Sequence, residues 1–181
     1  MIILVGASAS GKTEVAKMLH KKYGIVKMIT TTTRPMRVGE IHARDYFFVS
    51  KDHFQELLAK DHFVEHTCYN NNFYGSGKDQ VGSNKCIVVD PMGLKAFQAL
   101  KNPEIKTFFL LASENKRKER MIGRGDKPVD IQARLIKDRV EFADDKIKNV
   151  DLEIDTENLT IEEVCDLVYT TYQKLLNKGR D

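Results

Sequence analysis

No sign of charge dominates this chain: 29 Lys and Arg face 26 Asp and Glu, a formal net charge of +3 over 181 residues. A general nucleic-acid binder carries a strong basic excess, so that class is set aside. Any anion site must come from locally placed Lys and Arg. Cysteine is scarce and scattered. Cys68, Cys86 and Cys165 form no metal spacing, and an odd set without a paired pattern suits a reducing compartment. They read as small, partly buried core residues. The five histidines form no ligand motif, and His62 and His66 lie in a stretch that reads as strand. No apolar run approaches the roughly 20 residues that span a bilayer. Met1 leads straight into Ile2–Val5 and a glycine turn, with no basic region or cleavage site, so a soluble cytoplasmic protein is expected. There are no repeats and no low-complexity stretches. What is there is a length suited to one compact domain and a 41% hydrophobic content suited to a folded core.

Short β-rich runs alternate with helical patterns. Ile2–Val5 precedes a helix from about Lys12 to Lys22. Cys86–Asp90 precedes one with Leu94, Phe97 and Leu100 on one face. Thr107–Ala112 precedes one from Glu114, and Leu152–Ile154 precedes the last. This alternation predicts an α/β fold with a parallel sheet flanked by helices. The last helix opens on a capping box, Thr160 with Glu163, and carries a stripe of Ile161, Val164, Val168, Tyr172 and Leu175. Residues 28–76 break the pattern with strands at Tyr46–Val49 and Phe63–Tyr69, a helix near Lys51–Lys60 and a turn at Asn70–Asn72. They read as a small, mostly β insertion. Gly123–Val129, with two glycines and a proline between helices, reads as the mobile tip of a lid.

The strongest local signal is Gly6-Ala7-Ser8-Ala9-Ser10-Gly11-Lys12-Thr13, with the spacing of a Walker A phosphate-binding loop. It follows a buried-type strand and opens a helix, as such a loop requires. Glycines let the backbone curl so that its N–H groups meet phosphate oxygens, and the helix directs its positive end at the same place. Lys12 supplies charge to the β- and γ-phosphates, and the Thr13 hydroxyl is the candidate Mg²⁺ ligand. Ala9 stands where many such loops have glycine, which is tolerable at negative φ.

A phosphate-binding loop specifies a nucleoside triphosphate and little else. Arg34 and Arg37, three apart and followed by Tyr46, suit a phosphate monoester through charge, fork geometry and a phenol donor, although alone they fit a solvated loop equally well. Several motifs in order over nearly the whole chain resemble the guanylate kinase family. They are the phosphate-binding loop, Thr32-Thr33-Arg34-Pro35-Met36-Arg37-Val38-Gly39-Glu40, Phe63-Val64-Glu65, Tyr74-Gly75-Ser76, Asp90 with Gly93, and Arg120-Met121-Ile122-Gly123-Arg124-Gly125. The resemblance implies a P-loop kinase fold in one domain over residues 1–181. Its core would be 1–29, 85–120 and 135–181, its GMP-binding insertion about 30–84 and its helical lid about 121–134. It implies transfer of the γ-phosphate of ATP to GMP, and to dGMP, with Mg²⁺, in a monomer or homodimer without nucleic-acid or membrane partners. Arg34, Arg37, Tyr46 and Tyr74 would hold the GMP phosphate, with Glu40 orienting one of the arginines. Thr30, Glu65, Ser76 and Asp90 would read guanine. Arg120, Arg124 and Arg134 would close over the transferring group, the first two from one helix face. Asp155 would lie near adenine. Arg117 and Arg139 read as a solvated basic face.

Guanine's chemistry fits these residues. Its N1–H and N2–H₂ are donors for a carboxylate such as Glu65, and its O6 is an acceptor for a hydroxyl such as Ser76 or Thr30. Adenine would leave buried polar groups unpaired. Two departures from the family pattern stand out: Val88 occupies an acidic position, and the stretch between Ser76 and Cys86 is short. The rival readings are a P-loop kinase for another nucleoside monophosphate or a sugar phosphate, and an interaction domain without catalysis. The second would be expected to have lost Lys12, Thr13 and the lid arginines, which are all present.

Overall fold

The computed structural model describes residues 1–143 and 146–178. In chain order its elements are β1 (Ile2–Val5), α1 (Lys12–Tyr23), β2 (Val26–Lys27), β3 (Thr31–Thr32), β4 (Phe47–Phe48), α2 (Lys51–Ala59), β5 (Phe63–Tyr69), β6 (Asn72–Gly77), a 3-10 turn at Lys78–Gln80, β7 (Lys85–Val89), α3 (Pro91–Ala99), β8 (Lys106–Leu111), α4 (Glu114–Gly123), α5 (Pro128–Glu141), β9 (Leu152–Asp155) and α6 (Ile161–Asn177).

Five strands form a sheet in the order β2-β7-β1-β8-β9, every pair parallel. The central strand has no polar residue because helices cover both of its faces. Ile2 and Leu4 point into a core with Val15 and Leu19 of α1 and Val164, Val168 and Tyr172 of α6. Ile3 and Val5 point the other way, into a core with Ile87, Leu94 and Phe97. Each such side chain contributes about 1.5–3 kcal/mol when fully buried. Thus α1 leaves β1 toward one face and α3 leaves the neighbouring β7 toward the other. Loops diverging in this way open a crevice at the carboxyl ends of the two strands, where ligands of α/β sheets bind.

A second sheet, β4-β3-β6-β5, is built by the insertion. Its hairpin turns on Asn70 and Asn71 with φ of 47° and 59°. Asparagine tolerates this left-handed geometry, and two such residues suit the tight turn between twisted strands. Ser50 caps α2 by accepting the His53 N–H at 3.1 Å. Phe54 of α2 then stacks on Phe63 and Phe73, at 4.6 and 5.4 Å between ring centres, and closes one face of the small sheet.

Several expectations are adjusted. The run Tyr46–Val49 is strand only over Phe47–Phe48, with Tyr46 in an isolated bridge to His42, and β2, β3 and β6 join the strands foreseen. The short stretch after Ser76 holds one 3-10 turn, Lys78–Gln80. The capping box at Thr160 and Glu163 is present, but Leu176 rather than Leu175 packs on the core. Cys86 and Cys165 are buried, and burial pushes both thiols up to about 11. Cys68 is exposed on β5, so the core reading fails there. No helix among the described residues is long and apolar enough to cross a membrane.

Candidate active site

The loop between β1 and α1 has a backbone that dictates its residues. A Cβ on Gly6, at φ 153°, would collide with the Leu110 carbonyl oxygen and lie 2.7 Å from Ser10 Oγ. Gly11 caps α1 at φ 102°. Ala9 has φ 60°, not the negative value expected for a side chain there. Left-handed geometry costs an L-residue roughly 1–2 kcal/mol. Two contacts offset it: the Ala9 methyl packs on Met121, Ile131 and Leu135, and its carbonyl accepts from Arg120 at 3.2 Å. Lys12 Nζ donates to the carbonyls of Gly6 and Ala7 at 2.5 and 2.7 Å. Burial lowers its pKa to about 8, Asp138 opposes the fall and Arg117 adds to it. Thr13 is exposed, and its hydroxyl has no hydrogen-bond partner among the described residues.

Behind this loop lies a buried ion pair that the sequence reading missed. Arg117 of α4 donates to Asp138 of α5 at 2.6 Å, with side chains 8% and 6% exposed. The solvated role expected for Arg117 is therefore wrong, while Arg139 does lie on the surface, paired with Glu114. Asp138 also accepts the Ser8 N–H and the Ser8 hydroxyl, both at 3.0 Å. A signal existed: Ile131, Leu135 and Asp138 are the buried positions of α5, so a charge falls on its apolar stripe.

A cleft of 760 Å³ extends from Thr13 and Lys17 past Thr30 and Val88 to Glu65 and Ser76. Glu65 on β5 and Ser76 on β6 are register partners, and the Ser76 hydroxyl donates to the Glu65 carboxylate. At the insertion's edge, Glu40 accepts from Arg34 Nη2 and from the Arg37 N–H, both at 2.7 Å. Glu40 thereby raises the Arg34 pKa further, and Arg34 holds the Glu40 carboxyl below its usual range. The Arg34 guanidinium lies 5.5 Å from the Tyr46 ring centre, and Tyr46 meets Tyr74 edge-on at 6.2 Å. Lys27, absent from the sequence-based set, also meets Tyr46, its ammonium 5.9 Å from the same ring centre.

The family model described as guanylate kinase matches residues 1–175. The chain belongs to the guanylate kinase family. It is 31% identical to a guanylate kinase of Nostoc sp. over 166 residues, 84% of this chain and 83% of that protein. It is 30% identical to one of Clostridioides difficile over 132 residues, 69% of this chain and 64% of that protein. A guanylate kinase structure from Anaplasma phagocytophilum shares the fold at a TM-score of 0.64 and 24% identity, over 96% of this chain and 85% of that one. The chain is thus a kinase of a family whose reaction carries the γ-phosphate of ATP to GMP, on a P-loop kinase fold.

Within that family frame, the residues expected at the site are partly gathered and partly dispersed. Thr13, Thr30, Glu65 and Ser76 line one cleft, and Arg34, Tyr46 and Tyr74 cluster beside it. Asp90 caps α3, accepting the Gly93 N–H at 2.8 Å, which leaves its other oxygen for a ligand. Arg120 is engaged with Thr156, donating to its hydroxyl at 3.0 Å and its carbonyl at 2.6 Å. Arg124 is the C-cap of α4, and its N–H still donates to the Arg120 carbonyl one turn back, at 3.3 Å. Arg124 is held by Asp126 through two bonds, at 2.8 and 2.5 Å. Arg134 is exposed on α5. Asp155 is exposed and accepts the Glu157 N–H at 2.8 Å, a local turn contact.

Proposed function

We propose that this chain phosphorylates GMP, with ATP as donor, in the cleft between α1 and the insertion. The observation that carries the reading is the Glu65–Ser76 pair lining the same cleft as Thr13 of the phosphate-binding loop. A carboxylate oriented by a hydroxyl presents acceptors to guanine's N1–H and N2–H₂, and Thr30 offers a hydroxyl to O6. Arg34, Arg37, Tyr46 and Tyr74 take the acceptor phosphate, with Glu40 preorganising the two arginines. Asp90 adds one carboxylate oxygen to the base site while its other caps α3.

On the donor side, Gly6–Thr13 cradles the ATP phosphates. Lys12 exchanges the carbonyls of Gly6 and Ala7 for phosphate oxygens, and a bound anion restores the proton that burial loosens. The free Thr13 hydroxyl fits Mg²⁺, which takes few protein ligands and many from phosphate and water. When bound, the ion neutralises charge on the phosphates. Arg124 and Arg134 supply the lid charge, Arg124 by releasing Asp126. Arg120 braces the loop through Ala9 and the strand end through Thr156, where Asp155 borders the adenine side. Phosphoryl transfer needs alignment and positive charge more than covalent help, and this arrangement supplies both. The same reading makes the protein a cytoplasmic monomer or homodimer whose partners are ATP, GMP and dGMP.

The apolar Val88, lining the same cleft as the polar base readers, favours one rival: a kinase for a different monophosphate. ADP release measured over GMP, dGMP, AMP, CMP, UMP and a sugar phosphate decides. Strong release with GMP and little with AMP or UMP supports the proposal, and equal turnover of UMP removes the guanine assignment.

A further inference from the structure

We propose that Asp138 is a positioning residue for the donor nucleotide: it fixes the phosphate-binding loop by gripping Ser8 and so ties the lid helix α5 to the loop's shape. The inference deepens the kinase reading and rests on it. Ser8 lies between Gly6, at φ 153°, and the left-handed Ala9, at φ 60°. Both carboxylate oxygens of Asp138 are used there, one by the Ser8 N–H and one by its hydroxyl. Two bonds from one rigid carboxylate fix an orientation as well as a distance. Arg117 completes the grip, since Nη1 reaches Asp138 at 2.6 Å and the Ser8 carbonyl at 3.4 Å.

The energetics argue that this pair serves the loop more than the fold. Both side chains are buried, and the Arg117 Nε–H has no hydrogen-bond partner among the described residues. A buried ion pair with an unsatisfied donor is a weak stabiliser, and apolar residues of similar volume commonly hold such a place as well. Apolar residues could not hold Ser8. The neighbouring contacts have the same direction: Met121 of α4 and Ile131 and Leu135 of α5 enclose the Ala9 methyl. Helices α4 and α5 are therefore packed directly on the loop, and the charge that Lys12 feels from them is that of Arg117 and Asp138.

Two variants test the proposal, Asp138→Asn and the double change Arg117→Met with Asp138→Leu. ATP binding is read by calorimetry without acceptor, each variant well below its own melting midpoint, so the result does not depend on GMP being the acceptor. Wild-type turnover of GMP, run alongside, tests the kinase reading separately. Both variants are expected to bind ATP at least about fivefold more weakly, and to lose about tenfold in kcat with KM for GMP near the wild-type value. The double variant is expected to keep a wild-type melting midpoint because no buried charge is left unpaired. If the double variant binds ATP within about twofold of wild type, the pair is structural only and the proposal is overturned.

Discussion

Glu65→Gln separates base recognition from folding with a change of one atom. Glu65 is half-buried on β5, and its carboxylate accepts the hydroxyl of the fully buried Ser76. Glutamine keeps a carbonyl oxygen for that hydroxyl, so Ser76 stays satisfied and the melting midpoint should move little. The other oxygen becomes an NH₂ facing guanine's own N–H donors. One hydrogen bond to a charged acceptor is lost, a contribution of about 1.5–3 kcal/mol. At about 1.4 kcal/mol per tenfold, that is roughly a 10- to 100-fold fall in kcat/KM for GMP. KM for ATP should be unchanged, because the carboxylate lies across the cleft from the phosphate-binding loop. Steady-state kinetics with each nucleotide varied in turn, and a thermal melt, give all three quantities. A variant that loses GMP and ATP use equally, or that melts several degrees lower, would refute the assignment and make Glu65 a structural partner of Ser76.

Lys12→Ala should fold normally and lose at least about 100-fold in kcat, since its charge acts on the transferring group; near wild-type kcat would take the loop out of the mechanism. Lys12 also sets a pH limit: with its pKa lowered to about 8, kcat/KM for ATP should fall as pH rises through that value. Stability should respond in the opposite sense, because from about 8 to the ordinary 10.5 the unfolded chain holds a proton the folded one does not, so this group adds stability as pH rises. A flat kcat/KM profile to pH 9.5 would contradict the charge assignment. Val88→Asp, on a cleft wall where Val88 is 36% exposed, should raise kcat/KM for GMP with little change in melting midpoint; unchanged or poorer kinetics in a stable variant would show that the apolar wall is compensated elsewhere.

Much of this was legible in the sequence because single residues carried the constraint. Gly6 and Gly11 stand where a Cβ cannot, or where φ favours glycine, so the phosphate-binding loop announces itself. The fully apolar β1 required cover on both faces, and the Thr160–Glu163 box marked the start of α6. Glu40 was expected to orient an arginine, and it bonds Arg34 through its side chain and Arg37 through the backbone. Two-residue strands such as β2 and β3 have no period to detect. The Arg117–Asp138 pair joins residues 21 apart and the Arg120–Thr156 bonds join residues 36 apart; the stripe of α5 marks Asp138 as buried, but nothing local names either partner. Asp90 was readable in two ways: Asp90-Pro91 with Gly93 is also a helix start, and that role is the one its contacts display.

The central claim is transfer between two specific nucleotides, and following the transferred group tests it most directly. ATP labelled in its γ-phosphate is mixed with GMP, Mg²⁺ and the protein, and the products are separated. The account predicts label in the β-phosphate of GDP, in equal amount with ADP, and no transfer once Lys12 is replaced by alanine. Label appearing in inorganic phosphate, or in the product of another acceptor while GMP is returned unchanged, would contradict it.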